Sequence, residues 1–184
     1  MNVLIGRIHI NMSNKAKHKV FISFYHHDDQ KYKDYIDKYL SSNIINKSVM
    51  DGEYDPNNSD EYIKRLIRED KLSDSSVIVV LVGPNTKKRK HVDWEIYAGL
   101  RASVNGSSGL VGILLPEVSD KGDKCNTYLP SRLADNVNSG YAKVYKWDYA
   151  IGHFDSIIES TFDDKERLHN RMKNSREQMI KNLS

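Results

Sequence analysis

Cysteine is almost absent from this sequence, which holds Cys125 alone among its 184 residues. One cysteine excludes an internal disulfide and any zinc site built from several cysteines. No apolar run approaches the ~18 residues that a membrane-spanning helix needs, and the apolar stretch 3–10 is short and interrupted by Arg7 and His9. The composition therefore predicts a soluble protein of a reducing compartment, which we expect in the cytoplasm and not at a membrane.

The excess of positive over negative charge is also small. The chain carries 28 Lys and Arg against 25 Asp and Glu, which gives a formal net charge of +3. So small an excess, with both signs interspersed, does not require a nucleic-acid or membrane partner. The run of four cations at 87–90 is interpreted either as a solvated loop or as an attraction for phosphate groups. We therefore do not expect nucleic acid as a partner.

The common signatures of catalytic and nucleotide-binding loops are missing as well. The sequence contains no GxGxxG, Walker, GxSxG or HExxH pattern, which leaves the enzyme classes that depend on them without support. The run 26–29, His-His-Asp-Asp, has metal-binding residue types, but adjacent side chains point in different directions. We expect no metal there, and instead a helix whose start is capped by Asp28 or Asp29.

Apolar runs and helical stripes alternate five times along the chain. Amphipathic helices separate strands that are predicted at 20–24, 44–50, 77–82, 110–115 and 142–147. Parallel neighbours need crossover connections, so this alternation predicts an α/β fold whose parallel sheet carries helices on both faces. The chain is predicted to divide into an N-terminal extension at 1–19, one domain at 20–160 and a charged C-terminal helix at 161–184.

Ligands of such sheets bind at the carboxyl ends of the strands, where the strand order reverses. For the order 2-1-3-4-5 this point lies between the first and third strands, so the candidate site comprises 24–28, 51–59 and 83–91 with the helix that follows. Glu95 is on that helix, roughly 85° from the centre of its apolar face on a helical wheel. It is predicted at the boundary of the core, partly desolvated; a surface glutamate is the alternative interpretation.

Two motifs resemble the TIR domains, the Toll/interleukin-receptor type. Residues 20–24, Val-Phe-Ile-Ser-Phe, resemble their first-strand signature. The strand 77–83 followed by 90–96, Lys-His-Val-Asp-Trp-Glu-Ile, is similar to the TIR-like proteins of the Thoeris anti-phage defence system. The resemblance covers roughly 19–149. It implies a flavodoxin-like three-layer sandwich with a five-stranded parallel sheet in the order 2-1-3-4-5, to which this chain adds the C-terminal helical extension.

The resemblance also implies an enzyme that consumes NAD+ as a substrate, with no separate cofactor. Catalytic members of the family cleave the nicotinamide–ribose bond, and Thoeris-type members cyclise the product to an isomer of cyclic ADP-ribose that activates a separate effector. The catalytic glutamate of the family corresponds to Glu95. The implied partners are NAD+, a phage-derived trigger, an effector reached through the diffusible product, and further copies of the chain in self-assembly.

Eight further residues are predicted to contact the substrate, from their place at this edge and from the resemblance: Ser23, Phe24, Tyr25, His26, Asp51, Tyr54, His91 and Trp94. The family often has tryptophan four residues before its glutamate, where this chain has His91. The loop 51–59 is expected to cover the pocket as a lid. Two other functions remain open: a non-catalytic TIR-like scaffold that acts by oligomerisation, and a nucleotide-binding regulatory domain.

Overall fold

The computed structural model describes residues 17–46, 58–101 and 106–184. Its strands are β1 (His18–Ser23), β2 (Ile44–Asn46), β3 (Val77–Val82), β4 (Gly109–Leu114) and β5 (Lys143–Lys146). They form one sheet in the order β2-β1-β3-β4-β5, and every pairing is parallel. The predicted α/β class, the five-stranded parallel sheet and its strand order are therefore confirmed.

Helices connect these strands across both faces of the sheet. They are α1 (His26–Tyr39), α2 (Asp60–Leu66), α3 (Lys90–Leu100), α4 (Pro116–Ser119), α5 (Ser131–Asn138), α6 (Trp147–Gly152) and α7 (Phe154–Arg167). Ser59 begins α2 by accepting a hydrogen bond from the Tyr62 amide at 3.2 Å, as an N-cap residue does. Among the described helices, none combines the length and apolar character that a membrane crossing requires.

Two apolar cores lie on opposite faces of the sheet, because successive side chains of a strand point in opposite directions. On β3, Ile78 and Val80 belong to the core that α2, α3 and α5 cover. Val79 and Leu81 belong to the core that α1, α6 and α7 cover. All six residues of β3 are buried, which explains why its sequence is a continuous apolar run and not an alternating one.

Gly99 brings α3 close to the sheet. A Cβ atom at this position would lie 1.9 Å from Cδ1 of Ile78 on β3, a separation at which something must move. Glycine therefore lets the backbone of α3 approach β3 more closely than any other residue would. This close approach joins the C-terminal end of α3 to the start of β3.

The predicted helix over 161–184 is wrong beyond Arg167, where α7 ends. A single turn follows at His169–Arg171, and residues 172–184 are irregular. A helix here would lack the apolar stripe from which most helical stability comes. The backbone groups of 172–184 instead bond to side chains of α3 and α5, such as Asn136 and Asp93. The division of the chain into extension, domain and tail stays a prediction, and residues 1–16 lie outside the described residues.

Candidate functional site

Glu95 and Ser23 meet at the carboxyl end of β1. The Ser23 hydroxyl donates a hydrogen bond to Oε2 of Glu95 at 2.5 Å. Ser23 is the last residue of β1 and is two positions after Phe21, which packs in the α3-side core. The period of two in a strand therefore turns the Ser23 side chain toward α3.

Glu95 is buried in spite of its carboxylate, with 3% of the residue exposed. The surface-glutamate interpretation is therefore wrong, and the predicted boundary position understates the burial. A buried charge is costly unless it is hydrogen-bonded, and Ser23 supplies one such bond. The result is an oriented carboxylate at the edge of the sheet where ligands of this fold class bind.

Tyr25 and Arg89 link the segments that follow β1 and β3. The Arg89 guanidinium lies over the Tyr25 ring, 3.9 Å from its centroid, and both residues are half-buried. Phe24, by contrast, packs in the α1-side core, with its ring 4.1 Å from that of His26. Phe24 thus belongs to the core, whereas Tyr25 is the N-cap residue of α1 and His26 is the first residue of that helix.

His91 lies in the first turn of α3 and is half-buried. Burial, the Lys90 ammonium and the His26 imidazole lower the pKa of His91, and Asp60 opposes them. The imidazole is therefore neutral at pH 7.

The Trp94 indole is covered by protein, with 1% of the residue exposed. Its Nε1 donates to the Met179 carbonyl at 2.8 Å, and the Lys64 and Lys90 ammonium groups lie 4.7 and 4.9 Å from the ring centroid. These contacts assign the ring a packing role beside the site. Its predicted contact with substrate stays a prediction, as do those of Asp51 and Tyr54, which lie outside the described residues together with most of the predicted lid.

A second buried carboxylate at this edge was missed by the sequence reasoning. Asp29 accepts a hydrogen bond on Oδ2 from the Thr86 hydroxyl at 3.0 Å, and Thr86 accepts one from the Gly83 amide at 2.8 Å. The expectation that Asp28 or Asp29 caps α1 is wrong, because Tyr25 is the N-cap residue and Asp29 is inside the first turn. Asp29 instead ties α1 to the loop after β3.

Burial raises the pKa of Asp29 to about 6, although Thr86 opposes the shift. Gly83 is needed for this arrangement, since a Cβ atom there would lie 2.3 Å from Oδ1 of Asp29. The combination of Gly83 with Thr86 three residues later is the signal that could have pointed to this network. Next to it, Asn85 donates to Oδ2 of Asp28 at 2.8 Å.

Among the four cations at 87–90, Lys87, Arg89 and Lys90 contact other protein groups through their charged ends. Lys87 donates to the Thr127 carbonyl at 2.7 Å, and Lys90 donates to Asp60 at 2.7 Å. Both bonds hold the loop to neighbouring elements. Across the described ranges, no three His, Cys, Asp or Glu side chains group closely enough to hold a metal ion.

One comparison with known proteins bears on this site. A family model for the TIR-like domain of the Thoeris protein ThsB matches residues 21–120, just over half of the chain. The matched span contains the last three residues of β1 and all of β3 and α3, and with them both Ser23 and Glu95. No curated protein matches the chain.

Proposed function

Because the chain belongs to the family of Thoeris ThsB TIR-like domains, we propose that it serves this defence system as an NAD+-consuming enzyme. The reaction is cleavage of the bond between nicotinamide and ribose, followed by cyclisation to an isomer of cyclic ADP-ribose. The observation that carries the proposal is the buried Glu95 carboxylate, which Ser23 holds at 2.5 Å at the ligand edge of the sheet.

The cleavage step suits one oriented carboxylate. When the bond between ribose C1′ and the nicotinamide nitrogen breaks, its electron pair leaves with the nitrogen, and nicotinamide departs as a neutral molecule. The ribose becomes an oxocarbenium-like cation. An anion held beside the sugar stabilises this developing positive charge and accepts hydrogen bonds from the sugar hydroxyls. We assign that role to Glu95.

The cyclisation step needs a nucleophile on the adenosine half of the same molecule. Its lone pair forms the new bond to C1′, and the displaced proton passes to water. Internal attack competes well with hydrolysis when the two ends are held close together, because the entropic cost has already been met. Tyr25 and Arg89 follow β1 and β3 at this edge, and the neutral His91 lies four residues before Glu95 on α3. We assign these three residues to holding the two halves of NAD+.

The wider role follows from this reaction. NAD+ is the substrate, and we propose that no additional cofactor takes part. A phage-derived cue would start turnover, and a separate effector would respond to the diffusible cyclic product. Self-assembly of the chain would bring the second-strand loop, 51–59, into contact between copies.

The decisive variant is Glu95→Gln. It keeps the size and the hydrogen-bond acceptor for Ser23 but removes the charge, so we expect kcat to fall by about 10²–10³. NAD+ and its cyclic product are measured by mass spectrometry, with purified full-length protein and with cells before and after phage infection. The exposed Glu61→Gln is the matched control and should behave as the wild type.

Two results would contradict the proposal. Undiminished turnover in Glu95→Gln would show that the carboxylate is not catalytic. If the purified wild type consumed no NAD+ and the NAD+ content of infected cells stayed constant, the non-catalytic scaffold would be favoured. Urea unfolding of Glu95→Gln, expected within ~1 kcal/mol of the wild type because the Ser23 bond is kept, separates loss of chemistry from loss of fold.

A further inference from the structure

Residues 172–184, here called the C-terminal strap, run back over α5 and α3 to the loop before α3. The strap contains no helix or strand within the described residues, so its position depends on the contacts it makes with other elements. These contacts occur in three groups: at α5, at the residues just before Glu95, and at the first turn of α3.

The first group centres on Arg132 of α5, which is completely buried. Its Nε donates to Oδ1 of Asp93 on α3 at 2.9 Å. The same guanidinium donates to the side chain of Asn174 at 3.0 Å and to the Glu177 carbonyl at 3.2 Å. One buried cation therefore joins α5, α3 and the strap.

Asn136 makes a second attachment on α5. Its side-chain oxygen accepts from the Lys173 amide at 2.9 Å, and its side-chain nitrogen donates to the Lys173 carbonyl at 2.7 Å. Both backbone groups of this strap residue are thus satisfied by a single side chain. On the surface, Arg176 forms two hydrogen bonds with Asp135, at 2.7 and 2.8 Å.

The second group involves Met179 and the two residues that precede Glu95. The Met179 amide donates to Oδ2 of Asp93 at 2.9 Å, and its carbonyl accepts from Nε1 of Trp94 at 2.8 Å. The strap therefore contacts α3 immediately before the carboxylate that faces Ser23.

The third group caps α3. Within the described part of the chain, the side chain of Arg89, the N-cap residue, makes no capping bond. The side-chain oxygen of Asn182 accepts from the Lys90 amide instead, at 2.9 Å and across 92 residues of sequence. Next to it, the Leu183 amide donates to the Lys88 carbonyl at 2.9 Å. Such a cap matters here, because cations at a helix N-terminus oppose the helix dipole.

We propose that the strap holds the first turn of α3 and thereby sets the direction in which Glu95 faces, with Asn182 as a positioning residue. The part of this inference that concerns turnover rests on the proposed function. The part that concerns the helix and the Glu95 side chain does not, because it depends on the bonds described above.

The test compares Asn182→Ala, which removes the acceptor, with Asn182→Asp, which keeps one. Ile180→Ala is the matched control, since Ile180 is a strap residue with 84% of its surface exposed. In Asn182→Ala, amide hydrogens of the first turn of α3 should exchange about fivefold faster, the factor that a typical cap of ~1 kcal/mol implies. Asn182→Asp and Ile180→Ala should exchange as the wild type does.

The position of Glu95 is followed by ¹³C NMR of its side-chain carboxylate, assigned with Glu95→Gln. We expect the signal to shift in Asn182→Ala and to return in Asn182→Asp. In turnover, kcat of Asn182→Ala should fall roughly tenfold with KM unchanged, a part of the ~10² loss that a 1 Å misplacement can cause.

Unchanged exchange in Asn182→Ala would overturn the capping role, and an unmoved Glu95 signal would overturn the positioning role. Both readouts are independent of NAD+. If Asn182→Ala shows these effects but the wild type never consumes NAD+, the proposed function is refuted and the positioning role of Asn182 stands. Wild-type kcat in Asn182→Ala, with a shifted Glu95 signal, would refute the link between strap and catalysis.

Discussion

On α3, two buried carboxylates two residues apart face different partners. Glu95 accepts a hydrogen bond from the neutral hydroxyl of Ser23 at the edge of the sheet. Asp93, under the strap, accepts one from the guanidinium of Arg132. A hydroxyl orients a carboxylate but does not neutralise its charge. A guanidinium orients the carboxylate and also neutralises it. The strap side therefore has the chemistry of a structural joint, whereas the hydroxyl-bonded carboxylate at the sheet edge suits the cationic transition state of the proposed reaction.

A second pair of carboxyl groups, Asp29 at the sheet edge and Asp135 beside the strap, shows the same difference in partners. At the sheet edge, Asp29 accepts from the Thr86 hydroxyl, and burial raises its pKa to about 6. Under the strap, the Arg176 guanidinium beside Asp135 lowers the pKa of that carboxyl. The pKa values of Asp29 and Asp135 are thus shifted in opposite directions, which makes this pair open to experiment.

The largest effect is expected from Asp93→Asn, which leaves the completely buried Arg132 without its carboxylate. Breaking one half of a buried ion pair costs about 3–5 kcal/mol of unfolding free energy, which urea unfolding would measure. Asp148→Asn, at an exposed position, is the control and should change little. The double variant Asp93→Leu/Arg132→Met should recover most of the loss; a single variant as stable as the wild type would erase the distinction between the two regions.

Gly83→Ala tests how tightly the sheet edge is packed. The added Cβ would lie 2.3 Å from Oδ1 and 2.7 Å from Oδ2 of Asp29, so overpacking should cost about 1–3 kcal/mol of unfolding free energy. Gly152→Ala is the matched control, because among the described residues no atom lies within 4 Å of its added Cβ. Combining Gly83→Ala with Asp29→Ala should cost less than the sum of the two single changes; full additivity would disprove the clash.

The smallest effect concerns pH. The pKa of Asp29 is raised from its ordinary value of 3.8 to about 6, so the native state holds this proton more tightly than the unfolded chain does. The stabilisation is fully present below pH 3.8 and is lost as the pH rises through 6. Between pH 4 and 7, the unfolding free energy of the wild type should fall relative to Asp29→Asn by about 1–2 kcal/mol. A pH-independent difference between the two proteins would contradict the raised pKa.

The sheet could be predicted from the sequence because its signals are local. The run Val77–Val82 has the composition of a central parallel strand, and all six residues are buried. The alternation of strands and helices was enough to predict a parallel sheet, whereas its strand order, which the structure confirms, came from the family resemblance. Glu95 was identified as a candidate for the same reason, since its place on a helix after β3 depends only on nearby residues.

The strap and the Asp29 network could not be predicted, because long-range polar contacts leave no periodic pattern. Asn182 caps a helix 92 residues away, and a lone asparagine in a charged tail does not reveal this. Asp29 was assigned to the nearest helix start, whereas the Thr86 hydroxyl 57 residues away is its partner. The depth of Glu95 was likewise underestimated, since a helical wheel does not include Ser23 of the neighbouring strand.

The all-parallel sheet has a consequence for how the chain reaches this structure. Each pairing joins distant segments; Val20 of β1, for instance, pairs with Val77 of β3 across 57 residues. Such contacts form only after a long loop has closed, which makes parallel sheets slow to nucleate. Newly made chains therefore pass through a period in which the apolar run of β3 is unpaired, and during that period the segment is prone to aggregation.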